Sequence, residues 1–315
     1  MPKYHIDRSV TIDAPVEKVR SLTENFHEWP VWSPWLLMEP ESEVNVYGEA
    51  GQPGHGYDWN GDLVGSGKMQ TTSIGDGRHE MDLNFLKPFR SKAKVALHVT
   101  PIADNQSRAE WHMYGALPFF LFFMTKTMKA MIGMDYERGL RMLKEYAETG
   151  TVNTAVKIEG IFDTTATSYI GVDAECSLSE IGDSMKSTMT LANLTMTELG
   201  FTESSTAPGA VYHNVNIKTQ QCRYSAIAPI ASEGDPALLP ATASFGSIEP
   251  CRAIKILHTG SYQHLGNAWS TGMSYQRYKK LKAHKTQAPF ELYLDDPTTT
   301  PDSQLRTELY IPIKD

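Results

Sequence analysis

The phrase RYSAIAPI, Arg223 to Ile230, returns 83 residues later as RTELYIPI, Arg306 to Ile313. The same offset carries TSYIGVD (Thr167 to Asp173) onto PCRAIKI (Pro250 to Ile256). A helical segment follows the first phrase of each copy, SLSEIGDSMKSTMTLANLTMTELGF in one and YQHLGNAWSTGMSYQRYKKLK in the other. Each copy therefore reads strand, helix, strand, strand. A unit of this size written twice is expected to sit about a pseudo-two-fold axis, with a cleft where the copies meet.

Strand alternation assigns the side chains of the second copy to faces. In TELYIPI, Thr307, Leu309, Ile311 and Ile313 point one way, and Glu308, Tyr310 and Pro312 the other. Helices should cover the more apolar face, which leaves Glu308 and Tyr310 looking into the cleft. The same rule applied to PFELYLDD sends Phe290, Leu292 and Leu294 to the helices, and Glu291 with Tyr293 to the face of Glu308. The repeat offset matches Glu308 to Ser225, so an acid is expected on one side of the cleft only.

The first half of the chain is organised differently. YHIDRSVTI alternates as a half-buried strand. A helix then starts with Asp13 as its expected N-cap, Pro15 where a missing N–H costs little, and Glu17 in the first turn. GEAGQPGHGYDWNGDLVGSGKMQTTSI, SKAKVALHVTPI and AEWHMYG read as antiparallel strands, with Ala93, Val95, Leu97 and Val99 on one face. A long helix is expected from about Phe120 to Glu148, carrying Leu140, Leu143 and Tyr146 on one side. Trp29, Trp32 and Trp35 read as packing at the core edge, with the mouth of a cavity as the alternative. Asp58, His98, Glu110 and His112 are polar groups for such a cavity, although alternation serves a solvent face equally well.

Composition narrows the function classes. Lys+Arg against Asp+Glu is 16 to 20 over residues 1–150 and 13 to 17 over residues 151–315, so neither half is basic. With no basic face and no helix-turn-helix or zinc-ligand pattern, direct nucleic-acid binding is not expected. Cys176, Cys222 and Cys251 form no pair or metal motif and read as free thiols in a cytoplasmic protein without a signal peptide. GALPFFLFFMTKTMKAMIGM is interrupted by Lys126 and Lys129 and is too short to span a bilayer, so it reads as a buried loop entering an amphipathic helix. Asp295 and Asp296 are adjacent on a strand and face opposite ways. No metal site and no cofactor is expected from the spacing.

IDAPVEKVRSLTENFHEWPVWSPW, YDWNGDLVGSGKMQ and GLRMLKEYAE resemble the START-like, or SRPBCC, polyketide cyclase-like family over about residues 3 to 148. HTGSYQHLGNAWSTGM, FELYLDDPTTTP and LRTELYIPI resemble the GyrI-like small-molecule-binding domain, also met as the effector-binding domain of transcriptional regulators, over about residues 152 to 315. The resemblances imply an α+β protein of two domains. Residues 1–150 would form a helix-grip antiparallel sheet around a long C-terminal helix, and residues 151–315 the tandem strand-helix-strand-strand repeat. They further imply hydrophobic, aromatic or cationic small molecules as partners, with a second hydrophobic cavity in the N-terminal domain. By position, Glu308 and Glu291 would be the pocket acids, and Tyr310, Tyr293, Trp269 and Tyr262 its aromatic walls.

Each residue has a plainer reading. Glu308 could pair with Arg306 or Lys314 on an exposed edge, Trp269 could belong to its helix's core stripe with Leu265, and His258 could hold a turn. The GyrI-like resemblance implies two functions for the same residues. One is a binding module. The other, implied by GyrI-like proteins similar to detoxifying hydrolases, is a hydrolase that opens strained, cyclopropane-type electrophiles with Glu308 or Glu291 as general base. A third reading places the chemistry in the N-terminal domain and makes the C-terminal one a sensor.

Overall fold

The alternation at the N-terminus becomes a ten-residue strand, β1 (Lys3–Ile12), whose Ile6 and Ile12 are buried. In the computed structural model, which describes residues 3–116, 123–202, 204–231 and 239–314, the chain divides into two units, Met1–Val152 and Asn153–Asp315.

In the first unit β1 leads into α1 (Val16–Glu24) and α2 (Trp29–Trp32). Six strands follow: β2 (Glu43–Tyr47), β3 (Gly56–Asn60), β4 (Ser66–Gly75), β5 (Arg78–Lys87), β6 (Ser91–Ala103) and β7 (Gln106–Ala116). The unit closes with α3 (Thr125–Thr149). The sheet is antiparallel in the order β1-β7-β6-β5-β4-β3-β2. The expected first N-cap is corrected: Pro15 holds that position, and Asp13 instead accepts from Gln106 and pairs with Lys144. α3 ends where Gly150 turns left-handed (φ 82°) and its N–H reaches Tyr146 O, a closure that glycine adopts without steric cost. The expected start of that helix near Phe120 lies outside the described residues.

A cluster of rings sits within the otherwise largely aliphatic interior of this unit. Trp29, Trp32, Trp111 and Tyr136 are fully enclosed; Trp111 stacks on Tyr136 at 4.2 Å, and Trp32 meets the edge of Trp111 at 5.4 Å. Packing is thus the role of Trp29 and Trp32. Ala93, Val95, Leu97 and Val99 face this core, while His98, Glu110 and His112 lie on the outer face of the sheet. Asp58 is exposed on β3.

The second unit holds β8 (Thr154–Asp163), β9 (Thr167–Ser177), α4 (Ile181–Glu198), β10 (Gly209–Asn216), β11 (Gln221–Pro229), β12 (Ser244–Ile248), β13 (Arg252–Gly260), α5 (Gly266–Tyr278), β14 (Phe290–Tyr293) and β15 (Arg306–Pro312). The repeat is visible as β9-α4-β10-β11 against β13-α5-β14-β15. The copies form one antiparallel sheet, β12-β9-β11-β10-β14-β15-β13-β8, joined at its centre by β10 and β14. The strand that precedes each copy is exchanged: β8, before the first, pairs with β13 of the second, and β12, before the second, pairs with β9 of the first. α4 packs on β9 and β11, and α5 on β13 and β8.

Candidate functional site

Glu291 stands at the centre of the eight-stranded sheet on β14, the strand through which the two copies join. Its side chain is 0% exposed. Three neutral donors share the carboxylate: Tyr212 O–H donates to Oε2 at 2.8 Å, Tyr293 O–H to the same oxygen at 3.0 Å, and the Trp269 indole N–H to Oε1. Tyr212 belongs to β10 of the first copy and Trp269 to α5 of the second, so both halves contribute to the cluster. Tyr212 meets the Trp269 ring edge-on at 5.0 Å, and Tyr262 meets Tyr293 at 5.4 Å.

The electrostatics follow from this enclosure. Burial raises the Glu291 carboxyl above the usual carboxylate range, and the hydrogen bonds from Tyr212, Trp269 and Tyr293 pull it part of the way back. Burial, reinforced by the Glu291 charge, raises Tyr212 and Tyr293 well above an ordinary phenol, and Tyr262 is pushed up to about 12. Among the described residues no cationic side chain pairs with Glu291. A buried anion without a counter-charge is expensive, and the three hydrogen bonds offset part of that cost.

The structure corrects the expectation that Glu291 and Glu308 share a face. In the pairing of β14 with β15, Glu291 stands opposite Leu309, and Leu292 opposite Glu308. Directly opposed residues project to the same side. Glu291 and Tyr293 therefore point to the helix side with Leu309 and Trp269, and Phe290 and Leu292 point away with Glu308 and Tyr310. The second face is apolar as well: Phe290 and Leu292 pack with Tyr169, Val211, Ile227 and Ile248. Apolarity did not mark the helix side because both sides of the sheet are buried there.

Glu308 has a cation of its own. Lys255 Nζ lies 2.6 Å from Oε1, and Tyr310 O–H donates to Oε2 at 2.6 Å. The partner is neither Arg306, which clamps Asp295, nor Lys314. The other copy carries an acid here too, since Ser225 donates to Asp173 at 2.5 Å and meets His213 Nε2 at 2.6 Å. The expectation of an acid on one side only is thus replaced by a sheet with carboxylates on both copies. His258 is buried within β13, bound to Thr154 Oγ1 at 2.9 Å, and joins β13 to β8. Asp296 is spent on the turn at Thr298.

Sequence reasoning missed Tyr212. It lies in GAVYHNVN, far from Glu291 along the chain, and only the β10–β14 register, with Ala210 opposite Glu291 and the Tyr212 N–H on Pro289 O, brings it there.

No curated protein matches the chain. Among solved structures, a protein from Nitrosospira multiformis is 21% identical over 47% of this chain and 98% of its own, with a TM-score of 0.34. The aromatase/cyclase Zhui from Streptomyces sp. R1128 is 12% identical over 46% of this chain and 94% of its own, with a TM-score of 0.37. The regulator EcmrR, solved in complex with DNA, is 16% identical over 61% of this chain and 69% of its own, with a TM-score of 0.44. Family matches account for nearly the whole length: residues 3–148 match the polyketide cyclase / dehydrase and lipid transport family, and residues 161–314 match the GyrI-like small molecule binding domain. The chain is accordingly a two-domain α+β protein that joins a polyketide cyclase-like helix-grip domain to a GyrI-like small-molecule-binding domain.

Proposed function

We propose that the second domain binds a hydrophobic, aromatic small molecule carrying positive charge, and that Glu291 is the group that selects for the charge. One observation carries this reading: a fully buried carboxylate whose partners in the structure are all neutral. A ligand cation would supply the missing counter-charge in surroundings of low dielectric, where Coulomb attraction is weakly screened. Trp269, Tyr212, Tyr293 and Tyr262 add faces for cation–π attraction, worth about 0.5–2 kcal/mol each. Because Glu291 is enclosed, a ligand reaches it only by displacing one of the side chains packed around it.

The hydrolase alternative is less well supported. A general base needs a lone pair directed at the group it deprotonates. Glu308 spends its oxygens on Lys255 and Tyr310, and Glu291 spends its own on three donors. The reading does not require a ligand in the first unit, whose described core is a mixed cluster of aromatic and aliphatic side chains.

The test is a thermal-shift series of lipophilic aromatic cations and neutral isosteres on the wild type and Glu291→Gln, with the compounds recovered and weighed by mass spectrometry. A cation at a hundred times its dissociation constant should stabilise the wild type by about 2.7 kcal/mol and lose most of that effect on the variant. Equal shifts from cations and isosteres would remove the charge-selection claim. Conversion of a compound by wild type alone would move the protein to the hydrolase reading.

A further inference from the structure

The outer face of the N-terminal sheet gathers imidazoles. His98 on β6 stands opposite Glu110 on β7, and His112 follows Glu110 two positions on, so all three project from the same side of the sheet. One donor atom from each lies within 4.8 Å of the others, and the two imidazole rings are 4.6 Å apart. Nε2 of His98 and Nε2 of His112 are both buried, and neither has a hydrogen-bond partner. A buried polar atom is ordinarily satisfied, and leaving one unpaired is costly. Two such nitrogens beside a carboxylate form the donor set that suits a first-row divalent ion.

A second layer prepares one of them. His5 Nε2 lies 3.1 Å from His112 Nδ1, and His5 Nδ1 lies 3.8 Å from Asp7 Oδ1. The Asp7 carboxylate favours the His5 proton on Nδ1. The lone pair on His5 Nε2 then accepts the His112 Nδ1–H, which leaves His112 Nε2 bare. Carboxylate-to-histidine chains of this kind fix the tautomer and ring orientation of a metal ligand. The rings are held in place, since His5 stacks on Tyr114 at 4.4 Å and 2°.

We propose that His98, Glu110 and His112 bind a divalent transition-metal ion of the zinc class, with His5 and Asp7 orienting His112. Bonds of about 2.0–2.1 Å in a tetrahedron set donor atoms about 3.3 Å apart, so binding would draw together donors that now lie within 4.8 Å of one another. Two arginines flank the site. Arg78 is paired with Glu80 at 2.8 Å, and Arg108 holds Glu110 Oε1 at 3.0 Å while also donating to Ser9 at 2.9 Å. Glu110 keeps Oε2 for the ion, and Arg108 keeps Ser9.

The experiment uses the untagged full chain, stripped with chelator and titrated with Co²⁺ and then Zn²⁺. One equivalent of Co²⁺ with the absorption of a tetrahedral site, displaced by Zn²⁺, together with a rise in melting temperature on adding Zn²⁺, is the expected result. The double variant His98→Asn/His112→Gln should melt like the metal-free wild type and bind Co²⁺ at least tenfold more weakly. His5→Ala should weaken binding by about 10–100-fold while keeping the Co²⁺ spectrum. If the double variant does not fold, Glu110→Gln takes its place, with weaker binding again expected. No stoichiometric uptake at micromolar metal, or wild-type affinity in a folded ligand variant, would overturn the proposal.

Discussion

At the scale of single residues, acids and imidazoles buried away from water set the pH response. Glu291 has its folded-state pKa raised by burial. The protonated acid is therefore favoured on folding, and its contribution is complete below the unfolded carboxyl pKa and lost as pH rises through the folded one. Melting temperatures of wild type relative to Glu291→Gln should fall as pH rises across that window, and a pH-independent difference would contradict the burial argument. His79 and His258 act in the opposite direction. Burial lowers each to about 4 from the ordinary 6.5. His79 is held between Thr71 Oγ1 at 2.8 Å and Thr23 O at 3.2 Å. Below pH 6.5 the unfolded chain takes up the protons these groups refuse, so stability present at neutral pH is lost as pH falls toward 4. The loss is on the order of 3 kcal/mol per residue by the lower limit. His79→Gln should flatten the acid limb of the stability curve measured by urea unfolding. Nothing local in the sequence marks these histidines. Their pKa values follow from burial by strands distant along the chain.

At the scale of elements, the join between β10 and β14 is the narrowest part of the second domain, with three residue pairs in register. A Cβ on Gly209 would fall 1.9 Å from Glu291 O, so the close approach of these strands depends on the missing side chain. Gly209→Ala should cost about 3 kcal/mol in chemical unfolding and weaken ligand binding, because backbone must move at the site itself. Gly182, in the first turn of α4, has open space around its Cβ position. Gly182→Ala should be neutral or stabilise by about 0.5–1 kcal/mol, which makes it the control for the first substitution. The exchange of β8 and β12 acts over a longer range. Each copy lends its leading strand to the other, so the repeats should unfold together as one cooperative unit. The repeat itself was legible in the sequence, since both copies spell similar phrases. The exchange was not, because a strand's sequence does not name the edge it will join.

At the scale of the whole molecule, each unit has its own core. The ring cluster around Trp29, Trp111 and Tyr136 lies wholly within the first, and the clusters around Ile254, Tyr224 and Ile170 lie wholly within the second. Residues 1–152 and 153–315 expressed separately should each give a cooperative melt, and the cation response should follow the second. Aggregation of either piece would show that its core is incomplete alone. By itself the sequence determined the duplicated unit, through repeated phrases and alternation written along the chain, and through its family resemblances it implied the two-domain α+β organisation and the candidates Glu308, Tyr310, Glu291, Tyr293, Trp269 and Tyr262. Only the tertiary structure decided that Glu291 and Glu308 lie on opposite faces, that Tyr212 completes the cluster and that Lys255 neutralises Glu308. Alternation fixes which residues of one strand agree with each other. Which way two strands agree is set by their register and by what packs on each side, and both are non-local contacts.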